Sequence, residues 1–281
     1  PRDQLTSRMD DLTLAVTLAR AAGGLAYEMR SRSLGVDTKG HVSEVVTAAD
    51  RAAEELVVRT LADERPDDGL LGEEGAGRGS RSGRTWVIDP VDGTWNFIHD
   101  LPTWCAAVAL RDDATGGGLC AAVYQPTTDT VWFAGDGCPT AVSVSGESRH
   151  LDPLTHRPLA DVSVASYLHS TTTGDLLETW LRLVRGAATL RVLGSGSVDL
   201  SWVAEGRLGA FVQPDQSEWD WLPGATLVRG CGGTAEVVEH AGHRWHLAGS
   251  SRTVADLTAR GFAPTSQARR PLSSPAWPKR I

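Results

Sequence analysis

From about Leu5 to Met29 the apolar positions Leu12, Val16, Ala19 and Leu25 recur at helical spacing, and a second helix is expected from Ala48 to about Asp63. TAAD, Thr47 to Asp50, has the spacing of an N-terminal capping box, which places Asp50 in the first turn of that helix. The pattern then changes. WVID, WCAAVALR, GLCAAVYQP, TVWFAG and AVSVSG are short β-rich runs separated by Gly, Pro and Asp, and their hairpin-like spacing predicts a largely antiparallel sheet.

From about Arg149 strand and helix patterns alternate. VSVASY is followed by a helix over about Asp175 to Val184, LRVLG by a helix over about Val198 to Glu205, and LGAFVQ by a helix starting near Asp220. Pro223 is tolerable there if it falls in the first turn, and the helix ends at the glycines after Arg229. AEVVEHAGHRWHLAG reads as a hairpin turning at Ala241 and Gly242, with a last helix near Val254 to Ala259. Beyond Pro264 the chain is rich in Pro, Ser and Arg without periodicity, as expected of a flexible tail over 265–281. The expected division is an N-terminal α+β lobe over 1–148 and a C-terminal α/β lobe over 149–264.

Composition narrows the partners. A net charge of -8 argues against a nucleic-acid polymer or an anionic membrane surface, and no segment has the ~20 consecutive apolar residues of a membrane span. An acidic chain can still bind a small anion through a cation or backbone N–H groups. Cys105, Cys120, Cys138 and Cys231 are scattered without a CxxC pair or zinc spacing, and no basic-then-apolar secretion signal opens the chain. Reduced thiols in a cytoplasmic protein are the expectation.

Three acidic clusters stand at element ends: GEEG with Glu73 and Glu74, DPVDGT with Asp89 and Asp92, and EWDWLPG with Asp220. Singly, each has a plain structural use, as a turn, a solvated loop or a helix cap, and Asp50 can serve simply as a first-turn acid. Together they offer the several carboxylate oxygens that a hard divalent cation such as Mg2+ requires. Within DPVDGT, Pro90 restrains the backbone so that Asp89 and Asp92 converge, and the Val91 carbonyl can add an oxygen. Gly93 permits a turn, and a short helix opening at Thr94 would aim N–H groups at an anion.

VVTAAD, GEEG, WVIDPVDGTWNF and WDWLPGATLVRGCGG occur in the order and near the separations seen in the inositol monophosphatase family, and the chain resembles that family from about residue 5 to 262. The resemblance implies a layered αβαβα sandwich, an α/β (α+β) fold of the inositol monophosphatase and fructose-1,6-bisphosphatase type, in a homodimer. It implies hydrolysis of a small phosphomonoester with two to three Mg2+ ions. Glu73, Asp89 and the Val91 carbonyl match ligands of a first metal, and Asp89, Asp92 and Asp220 those of a second. Asp50 with Glu73 matches a weaker third site. Thr94 with Asp50, and Glu73 beside them, match residues that activate the attacking water. Gly93 and Thr94 match a phosphate cradle that Asp92 and Asp220 adjoin.

The departures bear on the substrate. Gly194 and Ser195 in LGSGSVDL match the family's sugar-side loop loosely. Gln213 stands seven residues before Asp220, where the family has a carboxylate, and an amide serves hydroxyls but does not pair with a cationic amine. Trp95 replaces a small or polar residue and brings an aromatic near the site. Inositol monophosphate is the first expectation and histidinol phosphate the second, since DTK, RPDDGLLGEE and LPTW resemble bacterial histidinol-phosphate phosphatases. Nucleotide 3'-phosphatase and fructose-1,6-bisphosphatase activities follow. A non-catalytic metal- or phosphate-binding regulator is the rival of another class; it conflicts with an intact set of carboxylates and Thr94. His240, His243 and His246 are spaced in threes but straddle the hairpin turn, which favours ordinary strand residues over a zinc site.

Overall fold

The computed structural model describes residues 9–30, 36–38, 45–135 and 137–262. The first four residues of the expected opening helix, 5–8, and the tail over 265–281 lie outside these. Helix α1 (Asp11–Arg30) starts where the Asp10 carboxylate accepts the Thr13 N–H at 2.9 Å, so a cap, and not the upstream apolar residues, sets its start. Two short antiparallel strands, β1 (Val36–Thr38) and β2 (Val45–Thr47), precede α2 (Ala48–Glu64), whose first turn carries Asp50.

Next come β3 (Gly69–Gly72), β4 (Gly77–Arg78), β5 (Arg84–Asp92), the one-turn helix α3 (Thr94–Ile98), β6 (Cys105–Asp112), β7 (Gly118–Gln125), β8 (Thr130–Gly135), β9 (Cys138–Val144) and β10 (Glu147–His150). The strands make one sheet in the order β10-β9-β8-β7-β6-β5-β3-β4, antiparallel except for the β3–β5 pair. The remaining elements are β11 (Ser163–Ala165), α4 (Gly174–Val184), β12 (Thr189–Arg191), α5 (Gly196–Ala204), β13 (Ala210–Pro214), α6 (Glu218–Gly230), β14 (Thr234–His240), β15 (His243–Gly249) and α7 (Ser251–Gly261). Their strands form a second sheet in the order β12-β11-β13-β15-β14.

Both faces of the first sheet are covered along its central strands β5 to β9, which is why these read as nearly unbroken apolar runs. Trp86, Ile88, Val108 and Leu110 point to Leu14, Leu18, Val57 and Leu61 of α1 and α2. Their neighbours Ala107, Val123 and Trp132 point the other way, to Val198, Leu200, Trp221 and Leu227 of α5 and α6. Those two helices also bury Phe211 and Ala248 of the second sheet, whose far face packs Val164, Val212 and Leu247 on Leu183 and Leu257 of α4 and α7. The layers are therefore α, β, α, β, α.

Several boundaries differ from the sequence reading. The first sheet gains β10, a fully exposed strand with no apolar alternation to betray it. Helix α6 starts at Glu218, so Pro223 lies inside the helix and forgoes the bond its N–H would give the Trp219 carbonyl. Flanking residues Leu222, Ala225 and Leu227 are buried, and tertiary packing outweighs that loss. The hairpin does turn at Ala241 and Gly242, both at positive φ. All four cysteines are free, and three of them are buried. Among the described residues no helix is long and apolar enough to cross a membrane.

Candidate active site

In a regular strand residues three apart face opposite sides of the sheet, so Asp89 and Asp92 should diverge. They do not, because β5 is bulged between them: Asp89 pairs with Ala107 and Asp92 with Cys105, three steps on β5 against two on β6. The extra residue at Pro90–Val91 turns Asp92 back to the side of Asp89. The Val91 N–H donates to Asp89 Oδ1 at 3.1 Å and fixes the loop. Asp220, in the first turn of α6, closes the group, and carboxylate oxygens of Asp89, Asp92 and Asp220 lie within 4.8 Å of one another.

Two further acids stand beside them. Glu73 follows the end of β3, where its N–H donates to the Ile88 carbonyl at 3.3 Å and so continues the pairing with β5. Asp50 is 2% exposed in the first turn of α2. Burial, followed by the charges of Asp220, Asp50, Glu74 and Asp92, pushes the Glu73 carboxyl up to about 8. Burial and the charge of Asp92 push Asp220 up to about 7. Asp89 is held well above the usual carboxylate range by burial and by Glu73, Asp92, Asp220 and Asp50. Asp92 is raised by burial against the opposing hydrogen bonds of Ser197, Ser195 and Gly196. Buried carboxylates that raise one another in this way call for a cation or a shared proton.

The donor set fits a hard divalent cation. Its atoms are carboxylate oxygens, and Asp89 Oδ2 is fully buried without a hydrogen-bond partner, an expensive state for an acceptor unless something positive meets it. The Val91 carbonyl is in the same bulge and accepts the Thr94 hydroxyl at 3.1 Å. Thr94 opens α3 behind Gly93, whose φ of 95° excludes most side chains and where a Cβ would come within 3.0 Å of the Gly194 carbonyl.

The loop ahead of α5 is thereby docked on the β5 turn. Asp92 accepts the N–H groups of Gly196, at 3.2 Å, and Ser197. Ser195 lies in this contact, but the residue is 2% exposed and its hydroxyl accepts the Val198 N–H at 3.3 Å as the cap of α5. Gln213 lies at the end of β13, half-buried and paired across the sheet with His246. Trp95 is 45% exposed and stacks on His99 at 4.4 Å. The three spaced histidines go to different partners: His240 to Phe262, His243 to Asp215, and His246, buried, to Trp221.

Three contributors escaped the sequence reading. Glu54, 6% exposed, accepts the N–H groups of Glu74 and Ala76, both at 2.9 Å, and so holds the loop that carries Glu73. Its signal was an acid on the apolar stripe of α2, one turn beyond Asp50. Asn96 donates to the carbonyls of Thr103 at 2.6 Å and Leu193 at 2.7 Å, tying α3 to the loop that leads into α5. Gln216 reaches Gly196 from the α6 side, and no local pattern marks it.

The chain matches the model of the inositol monophosphatase family over residues 8–268. It is 35% identical over 229 residues to a histidinol-phosphatase of Mycobacterium tuberculosis, covering 80% of this chain and 86% of that protein. It is 31% identical over 230 residues to an inositol-1-monophosphatase of Caulobacter vibrioides, covering 80% and 88%. The extragenic suppressor protein suhB of Bartonella henselae superposes with a TM-score of 0.77 at 27% identity, over 88% of this chain and 96% of the other. On the sequence match, the shared layers and the acid cluster at the bulged end of β5, the chain belongs to the inositol monophosphatase family.

Proposed function

We propose that this chain is a Mg2+-dependent phosphomonoesterase that acts on a small alcohol phosphate in the cytoplasm as a homodimer, with inositol monophosphate as its first substrate. As a member of its family it is a phosphoric monoester hydrolase. The observation that carries the metal dependence is the cluster of Asp89, Asp92 and Asp220 around an unpartnered, buried Asp89 oxygen.

In this reading Glu73, Asp89 and the Val91 carbonyl hold one cation and Asp89, Asp92 and Asp220 another, with Asp50 and Glu73 beside a weaker third. Bound cations supply Lewis acidity and offset the negative charge of the phosphate. Gly93 and Thr94 cradle the phosphate. The Thr94 hydroxyl, already directed by the Val91 carbonyl at 3.1 Å, orients the attacking water together with Asp50 and Glu73. The bulge and the two N–H bonds from α5 hold Asp92 in place, so that little reorganisation is needed when the substrate arrives.

Phosphate release from inositol 1-phosphate, measured with Mg2+ and with excess EDTA, tests the reading, and equal turnover in both would overturn it. Histidinol phosphate is the second reading, supported by histidinol-phosphatases of Mycobacterium tuberculosis and Streptomyces coelicolor at 35% and 33% identity.

A further inference from the structure

The side of α6 turned away from the acid cluster closes a second cavity. At about 100° per residue, Glu218, Leu222 and Arg229 share one side of the helix, and Asp220 stands about 200° round from Glu218, on the other. The cavity, of about 440 Å3, lies between that side, the β6–β7 turn and the β14–β15 hairpin.

Its charge is opposite to that of the chain. Arg111, Arg229 and Arg244 line it against two acids, Asp113 and Glu218, in a protein of net charge -8. Arg111 occupies both acids: it bonds to the two oxygens of Glu218, at 2.8 and 2.7 Å, and to Asp113 at 2.9 Å. The other two guanidiniums are left over. Arg229 donates to the Ala235 carbonyl at 2.6 Å and meets no carboxylate among the described residues, and the protein crowded round it lowers its pKa. The Arg244 side chain makes no hydrogen bond or ion pair with any described residue.

The wall between them carries a further donor. His246 lines the cavity and is 1% exposed, and burial with the charge of Arg244 brings its pKa down to about 4, so the ring is neutral. Its Nδ1 accepts the Gln216 N–H at 3.4 Å, which leaves the ring proton on Nε2. Trp221, Leu222 and Val237 make the rest of the lining apolar, and Val237 is 38% exposed. Unpaired guanidiniums on a concave surface draw in anions, and their planar fork matches the oxygens of a carboxylate or phosphate. An apolar wall beside them favours an anion that also has an apolar body.

We propose that this cavity is a second ligand site, which binds a small organic anion with its carboxylate or phosphate on Arg229 and Arg244 and its apolar body against Trp221 and Val237. Unlike the acid cluster, the site needs no metal ion.

Calorimetric titrations in EDTA test this, because the metal-free acid cluster repels anions. Phenyl phosphate and benzoate separate a phosphate ligand from a carboxylate, and sulfate lacks an apolar body. At least one of the two organic probes should bind with a Kd below about 1 mM, and about 10-fold more tightly than sulfate, the worth of a partly buried ring. Arg244→Ala and Arg229→Gln should each weaken that binding about 10-fold, the loss of one charge-assisted contact, while Mg2+-dependent turnover of p-nitrophenyl phosphate by Arg244→Ala stays within about 2-fold of the wild type. The Arg244 side chain is exposed and bonds to no described residue, so Arg244→Ala leaves the fold intact and decides the matter even if Arg229→Gln does not fold. No saturable binding in EDTA, binding that Arg244→Ala leaves unchanged, or sulfate held as tightly as the organic probes would overturn the inference. So would turnover lost in Arg244→Ala, which would join the cavity to the active site. The titrations are independent of whether the phosphatase reading holds.

Discussion

Stripping the divalent cation should make the protein less stable as the pH rises, because five carboxylates then face one another without a counter-charge. Keeping a proton on Glu73 up to about 8 instead of 4.5 corresponds to about 5 kcal/mol against its ionised form, at 1.36 kcal/mol per pH unit. The move of Asp220 from 3.8 to about 7 corresponds to about 4 kcal/mol. The same mutual repulsion enters both, so they do not add, and the cluster costs about 4–6 kcal/mol when fully ionised. Both carboxyls are raised on folding, so between about pH 4 and 8 the folded chain binds protons that the unfolded chain has released. Stability without cation therefore falls through that window as the pH rises. Mg2+ at a hundred times its Kd adds about 2.7 kcal/mol, or about 5 °C in Tm for a chain of this length. Near pH 5.5 it must displace protons from Glu73 and Asp220, and the gain should drop to less than about 2 °C.

Thermal melts in EDTA and in saturating Mg2+ across that range provide the assay, with Asp220→Asn as the control. In EDTA at pH 8 the variant should melt about 2–5 °C above the wild type, since it lacks one of the repelling charges, and Mg2+ should no longer stabilise it. An EDTA-treated wild type whose Tm stays flat or climbs from pH 5.5 to 8 would refute the reasoning. So would a Mg2+ gain that is the same at both ends.

Three substitutions extend the picture. Thr94→Ala should lower kcat about 100-fold or more while the Mg2+ dependence of Tm stays near the wild type, if its hydroxyl serves the water, as proposed, and not a cation; a shifted metal titration with unchanged kcat would reassign it. Glu54→Ala leaves two loop N–H groups without their acceptor and should weaken Mg2+ binding about 10-fold through a displaced Glu73, which calorimetric titration would read; unchanged affinity would make Glu54 a packing residue only. Asn96→Ala removes two buried bonds between α3 and its neighbours and should cost about 1–3 kcal/mol in urea unfolding, and a loss under about 0.5 kcal/mol would show that the loops hold without it.

Much of this molecule is decided locally. Period-3.6 stripes on α1 and α2, turn residues between the strands, and the Ala241–Gly242 hairpin are readable because a few neighbours set each of them. The acids were readable as well, since carboxylates at the ends of apolar runs have few structural uses. What failed locally failed for physical reasons. β10 is exposed on both faces and carries no alternation, and α6 runs through Pro223 because packing on two sheets outweighs one missing bond.

Convergence was the tertiary structure's to decide. Asp89 and Asp92 share a side only because the pairing with β6 slips by one residue, and that slip exists only once β6 is in place. Asp220 meets them because α6 is packed between the two sheets, more than a hundred residues later in the chain. The same packing engages Asp215 with His243 and Glu218 with Arg111, while the side chains of Gln213 and Gln216 bond to no other described residue. A sequence shows which groups can ionise or hydrogen-bond. Whether each is already satisfied depends on partners brought together by folding, and that decides which of them remain for a ligand.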